Sequence, residues 1–269
     1  MKIAGVQMDI AWEDPQENFR RARPLAEEAV ARGGRLVVLP EMFATGFSMA
    51  ADRVSGFASE TRGFLAGLAK ELSTFVLAGY AEPADPRPAN VCALFDPEGS
   101  ELLHFRKLHP FTMAEEDAHY LAGERVETAE VEGVRITPLI CYDLRFPEPF
   151  RAAANGTDLF CVLANWPETR RRHWSLLLKA RAIENQAYVL GVNRVGTGND
   201  LVHTGDSALL DPMGDPVAEL PAGEAGLVTG DVSPETVARV RDRFGFLADR
   251  KPELYAELER TSGSETGSA

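Results

Sequence analysis

The sequence predicts an α/β fold in which two mixed sheets pack together and helices lie outside. Strand and helix patterns alternate from the first residue. Strands outnumber helices, and many strands are apolar on both faces. A strand can be apolar on both faces only where its sheet is covered on both sides. At 269 residues and 45% hydrophobic content, the chain suits one α/β domain with a full core.

Residues 2–10 read as a first strand. Asp14-Pro15-Gln16-Glu17 then supplies an N-cap and a proline at the first helical position. That helix should stop at Gly33-Gly34. Residues 35–39 form a short strand closed by Pro40. Ser59-Glu60 opens a second helix to about residue 72, and residues 75–79 make a buried strand. Residues 91–95 and 101–106 flank the turn Asp96-Pro97-Glu98-Gly99. Residues 107–125 show no clean period and read as a long, functional loop with one helical turn. A hairpin follows at 126–131 and 134–140, then a short helix at 147–154 closed by Asn155-Gly156. The pattern continues as strand 159–163, helix 171–185 and strand 188–195. A hairpin at 207–210 and 216–220, a strand at 227–232 and a helix from Ser233 to about residue 241 complete it. The small, polar residues 261–269 should be disordered.

The formal net charge of −13 disfavours a phosphate backbone as partner. The one basic run, Arg170-Arg171-Arg172, reads as a solvated helix start. No stretch approaches the ~20 apolar residues of a membrane span, and no signal-peptide pattern follows Met1. Three cysteines, Cys92, Cys141 and Cys161, are an odd count in a chain of this size and argue against a disulfide framework. These features predict a reducing cytoplasm, with Cys92 and Cys161 as core thiols.

Cys141 stands apart. It closes the apolar strand before it and precedes Tyr142-Asp143-Leu144-Arg145-Phe146-Pro147-Glu148, where a short helix begins. A residue held on a sharp strand-to-helix turn projects its side chain, and the N–H groups after it point at what that side chain attacks. The alternative is a buried structural thiol, which is what cysteines often are. A nucleophilic thiol needs a base or a cation beside it. None of the five histidines pairs with Cys141 by sequence. His104 reads as a sheet residue and His173 as a helix-face side chain. Glu41 at the exit of one apolar strand and Lys107 at the exit of another are better placed, since strand ends of one polarity converge on one rim. Taken singly, each reads as a surface charge. A metal site at His109, Glu115, Glu116, Asp117 and His119 matches no closed ligand spacing. Gly-Thr-Gly at 196–198 is a weak phosphate-loop signal.

Four segments together resemble the nitrilase superfamily of carbon–nitrogen hydrolases: Leu39-Pro40-Glu41-Met42-Phe43, Phe105-Arg106-Lys107-Leu108-His109, Leu139-Ile140-Cys141-Tyr142-Asp143 through Glu148, and Ala164-Asn165-Trp166-Pro167. The resemblance implies a four-layer α-β-β-α sandwich over residues 1–260, commonly dimerised through a helical face. It implies a Glu–Lys–Cys triad at Glu41, Lys107 and Cys141. A second glutamate is implied in the long loop, at Glu115 or Glu116, with Glu116 preferred. No metal or organic cofactor is implied. Residues 164–167, 173–174, 180–188, 193–196 and 205–207 are most similar to omega-amidases, which hydrolyse the terminal amide of 2-oxoglutaramate or 2-oxosuccinamate.

On that resemblance the expected activity is a thioester-forming amidase on a small dicarboxylic monoamide. Tyr142, Asn165 and Trp166 would line the substrate pocket. Arg145, Arg170 or Arg194 would hold the distal carboxylate, although an Arg145–Glu148 ion pair holding the turn is the favoured use of those two residues. Pro110 stands where the family commonly has an aliphatic residue and would reshape the pocket mouth. Hydrolysis of N-carbamyl or other amides is the alternative, and a non-catalytic assembly protein on the same fold is a further one.

Overall fold

The computed structural model describes residues 1–264. Its elements, numbered in chain order, build two six-stranded sheets. In the first, β1 (Lys2–Gln7), β2 (Leu36–Val38) and β3 (Phe75–Glu82) run parallel. β4 (Ala89–Phe95) and β5 (Glu101–Arg106) follow antiparallel beside β3, and β14 (Gly226–Asp231) pairs antiparallel with β1. The second sheet has the same plan. β7 (Val134–Ile140), β8 (Leu159–Ala164) and β9 (Tyr188–Asn193) are parallel. They are flanked by β6 (Ala129–Val131) on one side and by β12 (Ala208–Leu210) and β13 (Pro216–Glu219) on the other.

The expectation of two mixed sheets with helices outside therefore holds. Alternation along each strand explains the layering. In the first sheet, Ile3, Leu36, Val38 and Leu77 face inward and join Ile140, Leu163 and Leu190 of the second in one core. The intervening Ala4, Val37 and Val76 face outward, against Phe19, Ala22, Leu65 and Leu68 of the helices. Gly5 marks the closest approach: a Cβ there would lie 2.8 Å from Val192.

Helices α1 (Pro15–Ala31) and α3 (Ala58–Leu72) cover the first sheet, with a short α2 (Ala51–Ser55) before α3. Asp14 caps α1 as expected, accepting the Glu17 N–H at 3.1 Å. The Ser59-Glu60 start is one residue late, and no side chain caps that helix. The long loop carries a 3-10 turn at Thr112–Ala114 and the single turn α4 (Glu116–His119). On the second sheet lie α5 (Pro147–Ala153), α6 (Arg171–Asn185) and α7 (Pro234–Arg243), the last capped by Ser233.

Two elements depart from expectation. The strand expected to run to residue 195 ends at Asn193. A separate hairpin, β10 (Val195–Gly198) and β11 (Leu201–Thr204), turns on Asn199 and Asp200, both at positive φ. Those two residue types tolerate the left-handed conformations that tight hairpins require. The tail is not irregular from residue 261: helix α8 (Pro252–Ser264) runs through it. Residues 265–269 lie outside the described residues. Among the described residues, no helix is long and apolar enough to cross a membrane.

Candidate active site

Strand direction places the site. Strands β2 and β5 point the same way, so Glu41 and Lys107 leave the first sheet at one rim. Strands β7 and β8 are parallel, so Cys141 and Asn165 leave the second sheet together. The two rims meet over a cavity of about 220 Å³ lined by Lys107, Cys141, Tyr142, Asn165 and Trp166.

Glu41, Lys107 and Glu116 form a buried charge cluster with side chains at most 1% exposed. Lys107 Nζ donates to Glu41 Oε1 at 2.9 Å and to Glu116 at 2.8 and 3.1 Å. Of the two candidates, Glu115 and Glu116, it is Glu116 that reaches Lys107. Asn90 Nδ2 bridges the carboxylates, at 2.8 Å from Glu41 and 2.9 Å from Glu116. Glu116 also accepts the Phe111 N–H at 2.6 Å. The second oxygen of Glu41 accepts the Asn165 N–H at 2.8 Å, while Asn165 Nδ2 donates to the Glu41 carbonyl at 2.6 Å. Gly79 leaves room for this arrangement, since a Cβ there would lie 2.7 Å from Glu41 Cα.

The electrostatics follow from burial. Removing Lys107 from water disfavours its charge, but Glu116 and Glu41 outweigh that and hold its pKa above the usual lysine value. Burial raises the Glu116 pKa, against the pull of Lys107 and with the push of Glu41. Cys141 is half-buried by surface area, yet its sulfur is desolvated. Burial and then Glu41 push its pKa well up, opposed by Lys107 and a hydrogen bond from the Asn165 backbone. The resting group is a thiol, so attack on carbon requires a base. Cys141 sits at φ +46°, a left-handed conformation uncommon for a residue with a Cβ. Strain at the strand exit turns the sulfur toward the cavity and opens the short turn Cys141–Arg145.

Several expectations need correction. Arg145 does not pair with Glu148. It lies over the Trp166 ring, 4.8 Å from the centroid, and contacts His173 Nδ1 at 3.2 Å. Arg170 is no solvated helix start; it lines the cavity and stacks over Phe111 at 5.2 Å. Burial lowers its pKa, with Cys141 opposing and Arg145 adding to the shift. Arg194, the third candidate, is buried and lines the cavity; it bonds Asp9 and three backbone carbonyls, while its Nη1 has no hydrogen-bond partner among the described residues. Pro110 does not line this cavity and faces a separate surface groove. His104 pairs with Glu82 at 2.9 Å, as a sheet residue should. Cys92 and Cys161 are buried core thiols.

Sequence reasoning misses Asn90 and His203. Asn90 has a detectable signal, being a polar residue at the start of a wholly buried strand. His203 has none, because the β10–β11 hairpin that brings it to the cavity is not legible in the pattern. The acidic and imidazole groups considered as a metal set go separate ways, Glu116 to Lys107 and His109 to Asp143.

A strained cysteine at a strand exit, beside a buried glutamate–lysine pair between two sheets, is the arrangement that a cysteine-based amide hydrolase requires, and comparison places it. The chain matches the carbon-nitrogen hydrolase family over residues 2–242 and belongs to that family. It is 38% identical over 250 residues to omega-amidase YafV of Yersinia enterocolitica, covering 93% of this chain and 96% of that protein. It is 32% identical over 259 residues to 2-oxoglutaramate amidase of Bacillus subtilis (strain 168), covering 94% and 98%. Its fold matches a mutant of the amidase of Nesterenkonia sp. AN1 with a TM-score of 0.86 at 28% identity, covering 96% and 99%. In that structure acrylamide has added to the active-site cysteine.

Proposed function

We propose that this protein hydrolyses the terminal carboxamide of a small dicarboxylic monoamide, of the 2-oxoglutaramate or 2-oxosuccinamate type. One observation carries the substrate class. Arg145 and Arg170 line the same cavity as Cys141, and among the described residues neither has a carboxylate partner. In a chain of net charge −13, two neighbouring guanidiniums without acids make an anion site. A substrate carboxylate held there directs the far amide toward the sulfur. The names of the two relatives support the same class.

Glu41 removes the Cys141 proton as sulfur attacks the amide carbon. The Lys107 ammonium and the Tyr142 N–H stabilise the resulting oxyanion. The C–N bond breaks as Glu41 returns its proton to nitrogen, and ammonia leaves. Water, deprotonated by Glu41, attacks the thioester, releasing the carboxylic acid and restoring the thiol. Glu116 holds Lys107 beside Glu41, while Asn165 and Trp166 form the pocket wall. The reaction uses no metal or organic cofactor. We further propose that the enzyme works in the cytoplasm as a homodimer through the outer face of α6, where Leu176 and Ile183 are exposed.

The test is ammonia release over a panel of monoamides, uncharged amides, nitriles and N-carbamyl amino acids. Dicarboxylic monoamides should give the highest kcat/KM. Equal rates for uncharged amides would remove the anion site from the account. An N-carbamyl acid carries the same carboxylate and is the second reading; its turnover would release carbon dioxide with the ammonia.

A further inference from the structure

The catalytic groups come from two sheets, so something must hold the sheets in register at the site. Asn165 does this for Glu41, through the two hydrogen bonds described above. The Lys107 exit needs its own tie to the Cys141 turn.

Asp143 is fully buried two residues after Cys141. One carboxylate oxygen accepts the Ile140 N–H at 3.0 Å, inside its own turn. The other accepts the backbone N–H of His109 at 2.9 Å and contacts His109 Nδ1 at 2.8 Å. His109 lies two residues after Lys107. Aromatic contacts repeat the tie: the His109 ring stacks on Phe146 at 3.8 Å and 14°, and Phe111 meets Tyr142 edge-on at 4.9 Å. In each pair one ring belongs to the Lys107 loop and the other to the Cys141 turn. A buried carboxylate that spends every contact on the segments bearing the ammonium and the thiol has the geometry of a registration device.

We propose that Asp143 and His109 are positioning residues that set the distance from Lys107 Nζ to the Cys141 sulfur. The inference rests on the amidase reading above, because it presumes that Lys107 stabilises charge at the reacting centre. Loosening the clamp moves the ammonium away from the oxyanion while leaving the anion site intact. A displacement near ~1 Å is enough to cost about 10²-fold in rate.

Two variants test this in the full chain. Asp143→Asn keeps the volume but loses an acceptor. His109→Phe keeps the stack on Phe146 and the backbone hydrogen bond but loses the ring contact. Both should lower kcat, Asp143→Asn by about 30-fold or more and His109→Phe by several-fold, with KM within about twofold. A second readout needs no amide turnover: the pH profile of Cys141 alkylation by iodoacetamide. The charged groups acting on the sulfur are Glu41, Glu116, Lys107 and Arg170. Drawing Lys107 away removes a charge that favours thiolate, so the profile should move to higher pH in both variants. Simple loss of the Asp143 charge would move it lower. Wild-type kcat in folded His109→Phe, or an alkylation profile that stays put or moves down in both variants, overturns the proposal. If the wild type releases no ammonia from any amide, the functional reading fails, and the alkylation profile still decides the clamp.

Discussion

The two ends of the cavity treat positive charge in opposite ways. At the closed end Lys107 is buried and its ammonium contacts two carboxylates, 2.8 to 3.1 Å away. At the other end Arg145 and Arg170 rest on aromatic rings with no acid beside them among the described residues. A cation already matched by acids is held for chemistry, where a fixed field acts on charge that develops during the reaction. A cation left unmatched is held for a ligand that brings its own charge. On the proposed function, the contrast divides the site into a reacting half and a recognising half, and each half can be broken separately.

The largest effect is expected in the reacting half. Cys141→Ala should abolish ammonia release while the thermal midpoint stays near that of the wild type, because little volume is lost from a half-buried position. A variant that still releases ammonia would remove this nucleophile. Next comes Lys107→Met, which should reduce kcat by at least ~10²-fold, the usual cost of one oxyanion donor. It also leaves two buried carboxylates without their cation, so its midpoint should fall as well. Near-normal kcat would end the distinction between the two halves.

Smaller effects belong to the recognising half. Arg145→Gln or Arg170→Gln should raise KM for a dicarboxylic monoamide about tenfold or more, since a hydrogen bond to a charged group contributes about 1.5–3 kcal/mol. The same variants should leave an uncharged amide unaffected. If both substrates suffer alike, the arginines hold the wall in shape and the comparison is wrong at that end.

How much of this is readable in the sequence also differs between the halves. Glu41, Lys107 and Cys141 each follow an apolar strand, but taken singly Glu41 and Lys107 read as surface charges, and it is the resemblance of four segments that joins the three. The alternation of apolar residues carries the two sheets. Arg145 reads wrongly because Glu148 is near it in sequence, whereas its real neighbour, Trp166, comes from the exit of another strand. The β10–β11 hairpin escapes because its four-residue strands alternate poorly and carry two glycines. Helix α8 escapes because its side chains are exposed all round through residue 261, leaving no buried face to impose a period.

That hairpin supplies the smallest effect, and one that titrates. His203 is 6% exposed in the cavity wall, and burial, with Arg194 adding to it, pulls its pKa down to about 4. Folding therefore favours the neutral ring, while the unfolded chain takes up a proton near pH ~6.5. Between those values the unfolded state binds more protons, so stability falls as pH drops through the window and is insensitive to this group above it. At about 1.4 kcal/mol per pH unit, the loss reaches roughly 2 kcal/mol by about pH 5. Urea midpoints at about pH 7 and about pH 5 should therefore converge in His203→Gln relative to the wild type. An unchanged gap would mean that the folded ring takes up its proton as readily as the unfolded one, which would add a third cation to the recognising half only below about pH 6.5.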